Sequence, residues 1–227
     1  MQDKMLALTR QELDAYLVRH PTEKTRLRAL ARQLRDDRDV FARSNMAGHI
    51  TSSVLVLDAT RSNVLLIHHK VYDMWMQPGG HVEADSASLI ESGLREVQEE
   101  TGLAGAATQP LLDGGALDVD THAIAARPVK GETDHRHHDF LYVAIAHHQF
   151  ELKPQLDEVN GVGWVRIEDF LAIPGQRMAF VAPKLRRLLA DLAQPAAPST
   201  STALVPPKAK EFDSIVRTAI GRATPGT

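Results

Sequence analysis

Pro78-Gly79-Gly80, followed by Arg95-Glu96-Val97-Gln98-Glu99-Glu100-Thr101-Gly102-Leu103, is the stretch from which the rest of the chain can be read. A Gly-Gly turn leads towards a helix, and Gly102 has the place of its C-terminal cap. Glu96, Glu99 and Glu100 stand at i, i+3 and i+4, so they share a face and crowd the last turn. The helix dipole is negative there, and like charges at these spacings cost roughly 0.2–0.5 kcal/mol per pair. A local rule broken this way marks a functional site. A hard divalent cation would compensate, because such ions take carboxylate oxygens. Ile90, Leu94, Val97 and Thr101 are expected to form the opposite, core-facing stripe. Arg95 is within reach of both Glu91 and Glu99. A solvated helix laced with salt bridges would explain the acids alone, but not the glycines on either side.

The segment Gly80 to Leu103 resembles the signature of the Nudix hydrolases, in which a loop–helix–loop presents glutamates to magnesium or manganese beside a diphosphate. Everything from Arg95 to Leu103 matches that pattern. Upstream, the pattern's first Glu would fall on Ser86 counting from Gly80, or on Ala87 counting back from Arg95. The loop is therefore one residue longer and lacks that Glu, which in the family steadies the Arg. Asp85 or Glu91 is expected to take over the pairing. The resemblance implies an α/β/α sandwich around a mixed sheet over about residues 45–192. It also implies Mg2+ or Mn2+ as cofactor, held by Glu96, Glu99, Glu100 and the Gly80 carbonyl. Glu96, Glu99 and Arg95 would be catalytic. Some members place the general base on the helix and others on a late acidic loop. Glu158, in Leu156-Asp157-Glu158-Val159-Asn160-Gly161, resembles the latter, with an ordinary solvated loop acid as the bland alternative. Gly79 and Gly80 let backbone approach metal or phosphates closely.

Residues 1–44 read as a helical extension: Thr9-Arg10-Gln11-Glu12 has the form of a capping box, and His20-Pro21 separates two amphipathic runs. Strands are expected at His49–Leu57, Asn63–His69, His122–Ala126, Phe140–Ala146 and Gly161–Val165. Helices are expected near Ile167 and over Ala182–Leu192. These alternations give the class α/β. From 193 to 227 the chain is rich in Pro, Ala, Ser and Thr and reads as a linker, then a short amphipathic tail that could dock on the body or on a second copy, as in a homodimer.

Net charge of −3 gives no electrostatic case for nucleic acid or an anionic membrane. Absence of Cys excludes disulfides, thiolate metal sites and cysteine nucleophiles. That also removes the isomerase chemistry of isopentenyl diphosphate, which shares the Nudix fold but uses a cysteine. No apolar run approaches the about 18 residues of a membrane span, and the first residues lack a signal-peptide pattern, so a cytoplasmic protein is expected. Alternation places His135, His137 and Asp139 on one face of a strand. They are read as a polar strand end; zinc ligation is a rival reading. With Lys70 and Arg136, His137 is a candidate for binding an anionic substrate. Trp75 is either core or a platform for a base. The expected activity is metal-dependent hydrolysis of a phosphoanhydride in a small diphosphate or nucleotide substrate. A Nudix-fold sensor that binds a nucleotide metabolite without turnover is the alternative.

Overall fold

The strand His49–Leu57 (β1) is buried along its entire length because helices cover both faces of the sheet around it. Val54 and Val56 enter one apolar cluster, while Leu55 and Leu57 enter the other. His135–Ala146 (β7) divides the same way, with Phe140 and Tyr142 on one side and Leu141 and Val143 on the other. The two strands run parallel from His49↔His137 to Leu57↔Ile145. Such doubly covered strands show apolar runs in place of alternation. The computed structural model describes residues 2–194 apart from 37–38, 84, 129–130 and 148–150. The expected linker and tail beyond 194 lie outside the described residues.

The second edge of β1 is shared. Gly79–His81 (β4) pairs with it antiparallel at Thr51–Ser53, and Asn63–His69 (β2) at Leu57↔Val64. β2 also carries Met74–Met76 (β3) and Val159–Arg166 (β8), and β7 carries Thr108–Pro110 (β5) and Asp118–Ile124 (β6). The sheet is mixed, as expected. Leu89–Thr101 (α3), Gln2–Arg19 (α1) and Arg28–Asp36 (α2) build the first cluster, and Ile167–Leu171 (α4) and Met178–Ala193 (α5) the second. The architecture is α/β/α, with the N-terminal helices sharing the core of the sheet.

Several local expectations need correction. Thr9 does not cap a helix; it lies inside α1, where its hydroxyl donates to the Met5 carbonyl at 2.9 Å. β6 starts at Asp118 and β7 at His135, because the two strands pair antiparallel from Asp118↔Leu141 to Ile124↔His135, which extends both beyond their apolar stretches. Along α3 the buried positions are Leu89, Ser92, Gly93, Val97, Glu100 and Thr101. Ile90 and Leu94 only flank the core. The buried face is thus rotated towards Glu100.

A buried polar cluster fixes α1 to the body. Tyr16, Glu23, Arg26 and Lys184 surround Asp118, which is fully buried. Lys184 Nζ lies 2.6 Å from Asp118 Oδ1 and 2.7 Å from Glu23 Oε1, and it donates to the Tyr16 hydroxyl at 2.6 Å. Arg26 Nη2 is 2.9 Å from Asp118 Oδ1 and also pairs with Glu23. Burial alone would raise the Glu23 pKa, but donors from Lys184, Tyr16 and Arg26 outweigh it and hold the carboxyl below its usual range. Lys184→Met leaves Asp118 and Glu23 without their ammonium partner. The expected loss is about 3 kcal/mol in urea unfolding, because removing one cation from a buried network leaves mainly Arg26 to offset the two acids. Adding Asp118→Asn should restore part of it; equal stability of Lys184→Met and wild type would contradict this.

Candidate functional site

α3 is held against the sheet by missing side chains. A Cβ on Gly93 would lie 2.6 Å from Ser52 Oγ and 2.9 Å from Val54 Cγ2. A Cβ on Gly80 would meet the Glu96 carboxyl carbon at 2.6 Å. Gly79, at φ +155°, leaves no room either: its Cβ would stand 2.6 Å from the Ser52 carbonyl oxygen. The Gly79 N–H donates to Glu100 Oε2 at 3.0 Å. The helix starts at Ser88, whose hydroxyl accepts from the Glu91 N–H, while Glu91 Oε2 accepts from the Ala87 N–H at 2.7 Å. It ends as expected at Gly102, left-handed at φ 75°, with its N–H on the Gln98 carbonyl.

Glu100 is only 3% exposed. Burial pushes its pKa up to about 8; the Gly79 N–H opposes this, and Glu96, Glu158 and Glu99 add to it. Glu96 is pushed up to about 7, again by burial first, with Arg95 opposing and Glu99, Glu158 and Glu83 reinforcing. Glu158 therefore stands within electrostatic reach of both. Its loop is tied to the end of α3 by Lys153 N–H to the Thr101 carbonyl at 2.8 Å and Gln155 N–H to the Glu100 carbonyl at 3.3 Å.

Arg95 pairs with Glu99 at 2.9 and 3.0 Å and with Glu96 at 2.9 Å. The loop acid that approaches it is Glu83, at 3.7 Å, in place of the expected Asp85 or Glu91. Glu91 is occupied at the start of α3. An acid two residues beyond His81 carried no pattern to announce this role.

A hard divalent ion fits these residues. The donors are oxygens, two of the carboxyls have their pKa raised by burial and by neighbouring acids, and Gly80 supplies backbone where a Cβ would collide with Glu96. The other candidates are arranged differently. Lys70 braces the Glu158 loop: its ammonium donates to the Leu156 carbonyl at 2.7 Å and its N–H to the Glu158 carbonyl at 3.0 Å. Arg136 and His137 face opposite ways along β7. Arg136 lines a groove of about 890 Å³ with α2 residues such as Arg28 and Arg32. His137 packs among His49, His81, His122 and His135. Trp75 packs on the second apolar cluster, edge-on to His68.

A loop–helix–loop whose glutamates and glycines converge in this way defines a site of the Nudix type. A NUDIX domain profile matches residues 48–189, and the chain belongs to the Nudix family. It is 54% identical over 48 residues to an m7GpppN-mRNA hydrolase of Xenopus laevis, a match spanning 21% of this chain and 15% of that protein. The fold is similar to that of a C. elegans Ap4A hydrolase, with a TM-score of 0.50 and 18% identity, covering 63% of this chain and 98% of that one. The NUDIX domain of Shewanella oneidensis NrtR, complexed with ADP ribose, aligns at 20% identity and a TM-score of 0.45, covering 70% of this chain and 97% of that one. No helix among the described residues is long and apolar enough to cross a membrane.

Two outcomes follow. The folded pKa of Glu100 lies above its ordinary value of 4.5, so the native state binds the extra proton between those values. That contribution to stability is complete at low pH and is lost as pH rises to about 8. In chelator, Glu100→Gln should therefore gain stability over wild type progressively with pH, from little at about pH 5 to on the order of several kcal/mol at about pH 8. Comparing the two proteins cancels the opposite contribution of the buried histidines; a pH-independent difference would contradict this. Gly80→Ala should displace Glu96 and weaken Mn2+ binding by about 10–100-fold in titration calorimetry, and unchanged affinity would refute the role of that close contact.

Proposed function

We propose that the chain hydrolyses a phosphoanhydride bond in a small diphosphate-linked substrate, a nucleoside diphosphate derivative being the leading class. The observation that supports this is the close approach of Glu96 to Gly80 and of Glu100 to the Gly79 N–H, with Glu99 joined to Glu96 through Arg95 and Glu158 near enough to raise the pKa of both buried acids. Glu96, Glu99, Glu100 and the Gly80 carbonyl would hold Mg2+ or Mn2+. When bound, the ion neutralises charge on the phosphates and polarises phosphorus, where positioning and charge stabilisation carry most of the catalysis. Arg95 is a positioning residue that aligns Glu96 and Glu99. Glu158 is the proposed general base, since Arg95 engages Glu96 and Glu99 and the Gly79 N–H engages Glu100. Water supplies the oxygen of the new P–O bond, the bridging P–O bond breaks, and the water's proton passes to the Glu158 carboxylate. A phosphomonoester leaves.

The test is a panel of ADP-ribose, dinucleoside polyphosphates, NADH, nucleotide sugars, capped RNA fragments and nucleoside triphosphates with Mg2+ or Mn2+. Turnover of at least one member is expected, reduced by about 100-fold or more in Glu99→Gln and Glu100→Gln. Glu158→Gln should lower kcat more than it raises KM. Tight binding of a panel member without turnover would identify a sensor and overturn the hydrolase.

A further inference from the structure

Four adjacent strands, in the order β4, β1, β7 and β6, place histidines side by side on one face of the sheet. His49 is opposite His137, His137 is opposite His122, and His81 and His135 close the group. His49 is 1% exposed and His135 6%, so these two imidazoles have largely left water. The ligand nitrogens of His49, His135 and His137 all lie within 4.8 Å of one another. His135 Nε2 is 3.3 Å from His137 Nε2, and His81 Nε2 is 3.1 Å from His49 Nε2. Two imidazoles on a tetrahedral ion, with metal–nitrogen bonds of about 2.0–2.1 Å, stand about 3.3–3.4 Å apart.

The outer nitrogens are oriented for this. His49 Nδ1 faces the Asn45 carbonyl at 3.2 Å, and His135 Nδ1 faces the Thr133 carbonyl at 2.8 Å. A carbonyl only accepts, so both rings carry their proton on Nδ1 and turn an Nε2 lone pair inward, as metal-bound histidines do. The nearby cation Arg43 is paired with Glu132 at 2.8 Å.

We propose that His49, His135 and His137 form a second metal site, distinct from the carboxylates, that takes one imidazole-preferring transition-metal ion such as Zn2+. His81 is the candidate fourth ligand. The donors are nitrogens here and oxygens at Glu96–Glu100, so the two sites select different ions. The ion would clasp the start of β1 to the start of β7. Through His81 it would reach β4, where Gly79 and Gly80 contact the glutamates. This site does not depend on the proposed hydrolysis.

Untagged full-length protein is stripped with a chelator, loaded with Zn2+ in excess Mg2+, desalted and assayed for zinc per chain. Wild type and Glu99→Gln should each retain one equivalent, and His135→Asn/His137→Asn should retain none. In wild type itself, Co2+ should give the intense visible absorption of a tetrahedral site, and Zn2+ should slow histidine modification by diethylpyrocarbonate. These wild-type readouts hold whether or not the double variant folds. No retained zinc, or retention equal in the histidine variant, would overturn the proposal. So would loss of zinc in Glu99→Gln, which would place the ion on the carboxylates.

Discussion

The close approach of α3 to β1 and β4 is the constraint on which the rest depends. It exists because Gly93, Gly79 and Gly80 lack the Cβ atoms that would meet Ser52, the Ser52 carbonyl and Glu96. Drawing the helix in so far buries Glu100, and largely Glu96, at the helix end where negative charge is least welcome. Burial raises both pKa values, and each added carboxylate raises them further. A metal-free protein carries this as protonation and as ion pairing to Arg95. The cost of assembling the acids is therefore built into the backbone, not into a flexible side chain that could turn away. A divalent ion bound between them would relieve it.

Stability elsewhere holds that geometry in place. β1 is flanked by α3 on one face and by α5 on the other, and the Asp118 cluster binds α1 and α5 to β6. On the α5 face Asp139 accepts from Thr51 at 2.9 Å and from Ser53 at 2.5 Å, and pairs with Arg177 at 2.7 Å. Thr51 and Ser53 flank Ser52 in the part of β1 that pairs with β4. The polar face behind the glycine strand is thus as tightly determined as the apolar face in front of it. The histidines continue that same polar face along β1, β4, β6 and β7.

Much of this was legible in the sequence, for identifiable reasons. The Glu cluster and Gly102 announce themselves by spacing, and the strands Asn63–His69 and His49–Leu57 by β-branched apolar runs. The three-residue strands β3, β4 and β5 are too short to carry a period. The N-terminal parts of β6 and β7 were missed because each is held by the partner strand, Asp118 and Val119 by Leu141 and Phe140 and His135–His137 by His122–Ile124, and not by an apolar pattern of its own. The face of α3 was misplaced because a buried Glu and a buried Gly do not look like core positions. His49 and His81 were invisible as partners of His135 and His137, since strand order alone brings them together. Glu83 likewise reaches Arg95 through loop geometry.

The proposed function rests on an ion-binding site formed by the carboxylates of α3 against the Gly79-Gly80 strand. The most direct measurement is a crystal structure of the protein soaked with Mn2+, with the metal located by anomalous scattering. The expected result is a peak among the carboxylates of Glu96, Glu99 and Glu100 and the Gly80 carbonyl, with Arg95 displaced from at least one of its partners. A manganese peak elsewhere, with Arg95 still paired to Glu96 and Glu99, would contradict it.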